Sequence, residues 1–137
     1  MGSLLLSLAA LFVLSALSSA KMQNVTVRGA AICYKRLMAN VVVQLITHDS
    51  LDPDDLLMEV KTNGKGEFEV TGGKDEKASI KPFVLFLHDC DLTEEQNKGG
   101  CKRHIYFEVP TKFINGPIYD MTYVPLNIQH TGEKIKC

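Results

Sequence analysis

The chain has 137 residues, 45% of them hydrophobic, and its 15 lysines and arginines nearly balance 16 aspartates and glutamates, for a net charge of −1. Both signs are interspersed along residues 21–137. This excludes the strongly basic surface that general nucleic-acid binding requires. The length and apolar fraction predict one domain with a single core.

The first twenty residues predict a secretory signal peptide. Residues 1–20 contain no charged side chain, the run from Leu4 to Leu17 is largely apolar, and Ser18-Ser19-Ala20 ends it with small residues. The run is shorter than the roughly 20 residues that span a bilayer. We therefore expect cleavage after Ala20, with a retained anchor as the alternative. Residues 21–137 form the predicted mature domain, which has no transmembrane segment and is secreted to the extracellular space.

Four cysteines lie in the mature part of the chain, at Cys33, Cys90, Cys101 and Cys137. An even number in a small secreted domain predicts two disulfides, for which three connectivities exist. We favour Cys90–Cys101, which closes a short loop, and Cys33–Cys137, which ties the start of the domain to its end. The spacing matches no zinc-binding pattern, so we expect no metal and no cofactor.

Alternation of apolar and polar residues dominates the mature chain and predicts β-strands. The alternating segments are Val25–Cys33, Val41–Thr47, Leu56–Thr62, Glu67–Val70 and Ile105–Val109, with a last pair of strands around Tyr119–Ile128. Phe83 to Leu87 is apolar throughout, as in a central strand covered on both faces. These segments predict an all-β, antiparallel sandwich of seven or eight strands. One turn of helix is expected in Thr93–Asn97 or in Thr111–Ile114.

Glycines mark two special backbone positions. The sequence Thr62-Asn63-Gly64-Lys65-Gly66 predicts a β-hairpin, because Asn-Gly tolerates positive φ at both turn positions. Gly29 lies inside the first strand and predicts a bulge or a close backbone approach.

Several motifs, in order along residues 21–137, resemble those of the nematode transthyretin-like proteins. They are Val25–Gly29 with Cys33, Leu51–Leu57, Gly66–Val70, His88–Cys90 followed by Cys101, Tyr119-Asp120, and Gly132-Glu133 with Cys137. The resemblance implies a transthyretin-like, prealbumin-type sandwich and a secreted protein. Edge strands of such folds can pair between subunits, which makes a homodimer an expectation to test.

The histidines are the residues most able to carry chemistry. If Cys90 faces Cys101 across an antiparallel pair of strands, then Phe86 faces Ile105, and His88 faces Arg103 on the core side. His104 then lies on the opposite face of the sheet, which argues against a shared metal site. We expect His88 to be a hydrogen-bonded histidine near the edge of the sheet.

Hydrolysis is the enzymatic alternative for this resemblance. Transthyretin-like folds include 5-hydroxyisourate hydrolases, which end in Tyr-Arg-Gly-Ser, whereas this chain ends in Glu133-Lys134-Ile135-Lys136-Cys137. We therefore expect no enzymatic activity and no catalytic residue.

A basic group around the third cysteine is the predicted binding patch. It contains Lys98, Lys102, Arg103 and His104, and it would suit an anionic lipid headgroup, a sulfated glycan or an acidic protein face. The alternative is a solvated loop, because acidic residues in the same segment offset the charge.

Two further features concern the protein surface. Phe83, Leu85 and Leu87 are expected to face away from the core, where either a second layer covers them or they form an interaction surface.

Asn24-Val25-Thr26 is an N-glycosylation sequon, with Asn24 as the acceptor.

The sequence thus predicts a secreted, non-enzymatic binding or adaptor protein. It would recognise a cell-surface, protein or lipid partner through its loops and one sheet face. The alternatives are a carrier of a small apolar ligand and, less favoured, a transthyretin-like hydrolase.

Overall fold

Nine β-strands form two packed sheets in the structure, a computed structural model that describes residues 20–49 and 51–137. The strands are β1 (Lys21–Cys33), β2 (Arg36–Leu37), β3 (Val42–His48), β4 (Asp55–Lys61), β5 (Glu67–Glu76), β6 (Lys81–His88), β7 (Lys102–Glu108), β8 (Tyr119–Pro125) and β9 (Lys134–Lys136). The signal peptide predicted for residues 1–20 lies, apart from Ala20, outside the described residues. Within the described ranges, no helix is long and apolar enough to cross a membrane.

The sheet topology confirms the predicted all-β sandwich. One sheet contains β2, β1, β5 and β8, and the second has the order β4-β3-β6-β7-β9. Pairing is antiparallel except between β1 and β8, which run parallel. Nine strands exceed the seven or eight predicted, because β2 and β9 have only two and three residues and leave little periodic signal.

Helical structure occurs where the sequence predicted it. Helix α1 (Glu94–Lys98) begins with a capping box, in which the hydroxyl of Thr93 accepts from the backbone N–H of Gln96. A 3-10 turn covers Thr111–Phe113. Both elements are short and bury no residue, so they serve as connections rather than as core elements.

The core lies between the sheets and is organised around Phe86 of β6. Its ring packs edge to face against Phe68, with centroids 5.3 Å apart, and against Phe107 at 5.7 Å. Val43 and Leu45 of β3 are fully buried beside it. In β3, β5 and β7, the period-two pattern that predicted the strand therefore also selects the core residues.

The disulfides join different cysteines from those predicted. Cys33 bonds to Cys90, and Cys101 bonds to Cys137, so the predicted pairs Cys90–Cys101 and Cys33–Cys137 are wrong. The predicted register between β6 and β7 is nevertheless correct, since His88 faces Arg103.

The ends of the strands explain the observed pairing. The β6–β7 ladder ends at His88, so it does not extend to Cys90. Cys90 instead meets the end of β1, with its Cα 5.9 Å from that of Cys33, and this bond joins the two sheets. Cys101 adjoins Cys137 because the next residue, Lys102, pairs with Lys136 of β9.

The turn at residues 62–66 connects the two sheets instead of forming a hairpin. Gly66 N–H donates to the Asn63 carbonyl at 2.9 Å, and Asn63 Oδ1 accepts from the backbone N–H groups of Lys65 and Glu67. However, β4 and β5 on either side of this turn pair in different sheets. The hairpin prediction is therefore wrong, and positive φ occurs at Gly66, at 73°, rather than at Asn63 and Gly64. Pairing with β3 and β1 overrides the local turn signal.

The prediction for Gly29 is confirmed. The register between β1 and β8 shifts between Arg28 and Ala30. A Cβ atom at Gly29 would lie 3.1 Å from the ring of Phe68 and 3.1 Å from the Thr122 carbonyl oxygen. The glycine therefore serves both the bulge and the close approach.

Two glycines of one turn should respond differently to alanine. Gly66→Ala should lower the free energy of unfolding by about 1–3 kcal/mol, because its φ is positive and its Cβ would lie 2.5 Å from the Ala31 carbonyl oxygen. Gly64→Ala is the matched control, since no atom lies within 4 Å of its Cβ position, and it should change stability by less than about 0.5 kcal/mol. Urea denaturation measures both, and equal losses would contradict this account of the turn.

Proteolytic mapping without reduction should recover one peptide pair linking Cys33 to Cys90 and another linking Cys101 to Cys137. The closed segments span 57 and 36 residues, so replacing either pair by serines should cost about 4 kcal/mol of stability on the chain-entropy model. A peptide linking Cys90 to Cys101 would contradict the observed connectivity.

Candidate functional site

The outer face of the second sheet carries an apolar band. Alternation in β3, β6 and β7 buries one set of side chains and turns the other outward. Leu56 and Tyr106 are 55% and 47% exposed, and the remaining members are half-buried. The apolar band consists of Val42, Ile46, Leu56, Phe83, Leu85, Leu87 and Tyr106.

The position of β6 bears on the prediction made for Phe83, Leu85 and Leu87. The strand is central in its sheet, as predicted. Its inner side chains are buried, but these three outward ones retain contact with solvent, so the expectation that both faces are covered is wrong. They belong to an accessible surface, which favours the interaction alternative.

Basic side chains gather at one end of this band, where β7 meets β9. Lys102 pairs in register with Lys136, and His104 pairs with Lys134. Residues opposite each other in a ladder share a face, as do residues two apart in a strand, so the four form one patch. Partial burial and the positive charge of Lys136 lower the pKa of His104. We call these four residues the basic cluster.

The basic cluster overlaps the predicted binding patch only in part. Lys98 lies on α1, where its Nζ is 3.4 Å from Glu94. Arg103 points into the sandwich and is 7% exposed, because alternation along β7 turns it away from its neighbours Lys102 and His104. A role of these residues in binding stays a prediction.

The two remaining lysines of the basic cluster were missed by sequence reasoning. Lys134 and Lys136 lie about thirty residues from β7 along the chain, and only the pairing of β9 brings them alongside it. The alternation Lys134-Ile135-Lys136 was the one available signal, and three residues are too few to predict a strand.

A buried ion pair holds β9 against β7. Arg103 Nε donates to the carboxylate of Glu133, and both side chains are 8% exposed. Arg103 Nη1 also donates to the Cys90 carbonyl at 3.0 Å, and Glu133 accepts from the backbone N–H of His130 at 3.1 Å. The hydrogen bond from Arg103 lowers the pKa of Glu133, although burial opposes this shift. Because Glu133 directly precedes β9, the pair positions the lysines of that strand.

His88 lies beneath the sheet as a buried, neutral side chain. It is 2% exposed, and its Nδ1 accepts from the backbone N–H of Cys90 at 3.1 Å. Its proton therefore sits on Nε2, which has no hydrogen-bond partner among the described residues. Burial, followed by the charge of Arg103, lowers the pKa of His88 to about 4. The predictions that His88 faces the core and His104 faces outward are confirmed.

The described ranges contain no group of three or more His, Cys, Asp or Glu side chains that could hold a metal ion.

The outer face of the first sheet is polar around the glycosylation sequon. Asn24 is exposed on β1 and pairs with Gly73. A Cβ at Gly73 would lie 2.2 Å from Asn24 Oδ1, so the missing side chain leaves room for the amide. Thr26 Oγ1 and Thr71 Oγ1 are 2.8 Å apart on the same face. The two outer faces of the sandwich therefore differ in chemistry.

Residues 28–110 match the model of the transthyretin-like family. The chain belongs to the transthyretin-like family. Among its transthyretin-like relatives in Caenorhabditis elegans, it is 49% identical over 119 residues to Transthyretin-like protein 16, covering 87% of this chain and 86% of that protein. It is 35% identical over 123 residues to Transthyretin-like protein 5, covering 84% of each chain. The family inferred from the ordered motifs is confirmed.

One solved structure is also similar to this transthyretin-like chain. It is a 9R-lipoxygenase from Cyanothece, with a TM-score of 0.47 and 15% sequence identity. The similarity covers 77% of this chain and 17% of the lipoxygenase chain.

Stability should fall as the pH drops from about 7 to 5. The folded-state pKa of His88, about 4, lies below its ordinary value of 6.5, so the unfolded chain binds more protons in this window. The contribution is present above pH 6.5 and is lost as the pH approaches 4, with about 2 kcal/mol lost between pH 7 and 5. Urea denaturation at several pH values measures this slope.

The variant His88→Asn tests whether His88 causes this dependence of stability on pH. Asparagine keeps an acceptor for the Cys90 N–H but does not titrate, so the loss of stability between pH 7 and 5 should shrink by about 2 kcal/mol. An unchanged slope in this variant would show that other groups cause the pH dependence.

Proposed function

We propose that the protein is a secreted, non-enzymatic binding protein that recognises an anionic protein or lipid surface on the outside of cells. Recognition uses the outer face of the β4-β3-β6-β7-β9 sheet, and the protein acts as an adaptor. The observation that carries this proposal is the apolar band adjoining the basic cluster on one accessible face.

The two parts of this face contribute different terms to binding. Burial of apolar area contributes roughly 25 cal/mol per Å², and the side chains of the apolar band lie side by side across four strands. Basic groups at the edge of an interface speed association with an anionic partner and disfavour binding of basic partners. The carboxylate of Asp89 lies 3.6 Å from Lys102 Nζ. Because the basic cluster contains three lysines, this one carboxylate leaves its net charge positive.

Secretion is supported by the predicted signal peptide together with two disulfides, which are typical of proteins from oxidising compartments. A glycan on Asn24 would extend from the first sheet. This would cover the polar face of the sandwich and leave the apolar band free for a partner.

Binding without covalent chemistry is supported by the environment of His88. His88 is 2% exposed and uses Nδ1 to accept from the backbone, so a substrate at the surface cannot reach it.

Neutralising Lys102, Lys134 and Lys136 to glutamine tests the proposed face. The labelled mature protein should bind saturably to intact dissociated Caenorhabditis elegans cells, and the triple variant should bind at least about tenfold more weakly, because three charges at the rim are lost. Flow cytometry measures both, and binding should weaken as salt is added.

A second triple variant controls for net charge. Lys21, Lys65 and Lys77 are exposed and lie outside the proposed face, so their replacement by glutamine should leave cell binding unchanged. Equal loss in both triple variants would mean that overall charge, rather than this face, governs binding. Saturable binding that survives in the first variant would overturn the proposed site.

A further inference from the structure

A depression of about 430 Å³ lies at the end of the second sheet where β6 begins and β7 ends. No residue of the basic cluster belongs to its lining. Along β7, Lys102 of the cluster is about 20 Å from Glu108 of the lining, and His104 is about 7 Å from Tyr106. This volume falls within the range of about 300–1,000 Å³ that small-molecule sites occupy. The depression is therefore a feature separate from the basic cluster.

The walls of the depression are aromatic and apolar. Phe83 and Tyr106 pack edge to face on one side, with ring centroids 6.2 Å apart. Ile80, Pro82 and Val109, all of which are buried, complete the apolar part of the lining. An apolar group placed against these side chains would exchange water for carbon contacts.

Hydrogen bonds from the backbone and from the side chain of Gln23 hold these walls in place. Val109 N–H donates to the Pro82 carbonyl at 3.0 Å. Ile80 N–H donates to Oε1 of Gln23 at 2.9 Å, and Nε2 of the same buried glutamine donates to the carbonyls of Glu76 and Ala78. A site that is already ordered loses little entropy when a ligand binds.

The polar lining favours a positive charge. Glu108 faces Phe83 in the ladder, next to the aromatic pair, and it forms no ion pair with any described residue. Asp54, a second carboxylate, lies 2.8 Å from His48. Lys81 is the one lysine of the lining, so the two carboxylates outnumber it. Aromatic rings also attract a cation to their faces.

We propose that this depression binds a small apolar molecule that carries one protonated amine. The amine lies against the carboxylate of Glu108 and the ring of Tyr106. The apolar part fills the space between the aromatic pair and the Ile80–Pro82–Val109 wall. This site goes beyond the proposed recognition of an anionic surface. It shares Phe83 and Tyr106 with the apolar band, but it also uses Glu108 and the Ile80–Pro82–Val109 wall, and it selects the opposite charge.

Two probes with the same ring and opposite charge test the proposal. 2-(1-Naphthyl)ethylamine and 1-naphthylacetate are titrated separately into the full mature protein at about pH 7, with isothermal titration calorimetry as the readout. The amine should bind with one-to-one stoichiometry and at least about tenfold more tightly than the acid, because only the amine pairs with Glu108. Equal or tighter binding of the acid would overturn the proposal, as would the absence of saturable amine binding up to about 1 mM.

A matched pair of variants locates the amine. Glu108→Gln should weaken amine binding by about fivefold and remove most of the preference over the acid. Glu59→Gln is the control, since Glu59 is on the same face but outside the lining, where it accepts from Gln44 Nε2 at 2.6 Å. The control should leave both affinities unchanged. Unchanged amine binding in Glu108→Gln, with its melting temperature equal to that of the wild type, would place the amine elsewhere and refute the assignment.

Discussion

The ion pair between Arg103 and Glu133 holds the C-terminal strand in the fold and so determines where the basic groups lie. A buried pair stabilises a protein only when its remaining donors and acceptors are also satisfied. Here the Cys90 carbonyl and the His130 N–H supply those partners. The Cys101–Cys137 bond closes the other side of β9. A strand of three residues is marginal by itself, and these two links are what place Lys134 and Lys136 beside β7.

The sandwich presents two outer faces with different chemistry. The first sheet is polar around Asn24, where the unsubstituted Gly73 leaves room for the amide. The second sheet combines the apolar band with charge of one sign at one end and an acidic, aromatic depression at the other. Leu56 and Tyr106 are the exposed members of the band, and its other side chains keep partial contact with solvent. Apolar side chains that adjoin on one accessible face are typical of interaction surfaces.

The disulfides show how a correct local inference can accompany a wrong long-range one. The predicted register of β6 and β7 started from Cys90 facing Cys101, and it is correct although these two cysteines are bonded to other partners. The pairing of Cys33 with Cys90 depends instead on how the two sheets pack, since β1 belongs to one and β6 to the other. Sequence spacing carries no information on that packing. The turn at Asn63 and Gly64 is a second example. Its local sequence fits two flanking strands that pair with each other and also two that belong to different sheets.

The sequence by itself determined the all-β class, the places of the seven longer strands, the inward and outward faces of β6 and β7, and the family. Each of these rests on a period of two residues or on ordered local motifs, which neighbouring residues carry without help from distant ones. Only the tertiary structure decided the disulfide partners, the ion pair of Arg103 with Glu133, and the assembly of Lys102, His104, Lys134 and Lys136 into one cluster. These features depend on contacts between strands that are far apart in the chain, and such contacts are set by the packing of two sheets rather than by any local pattern.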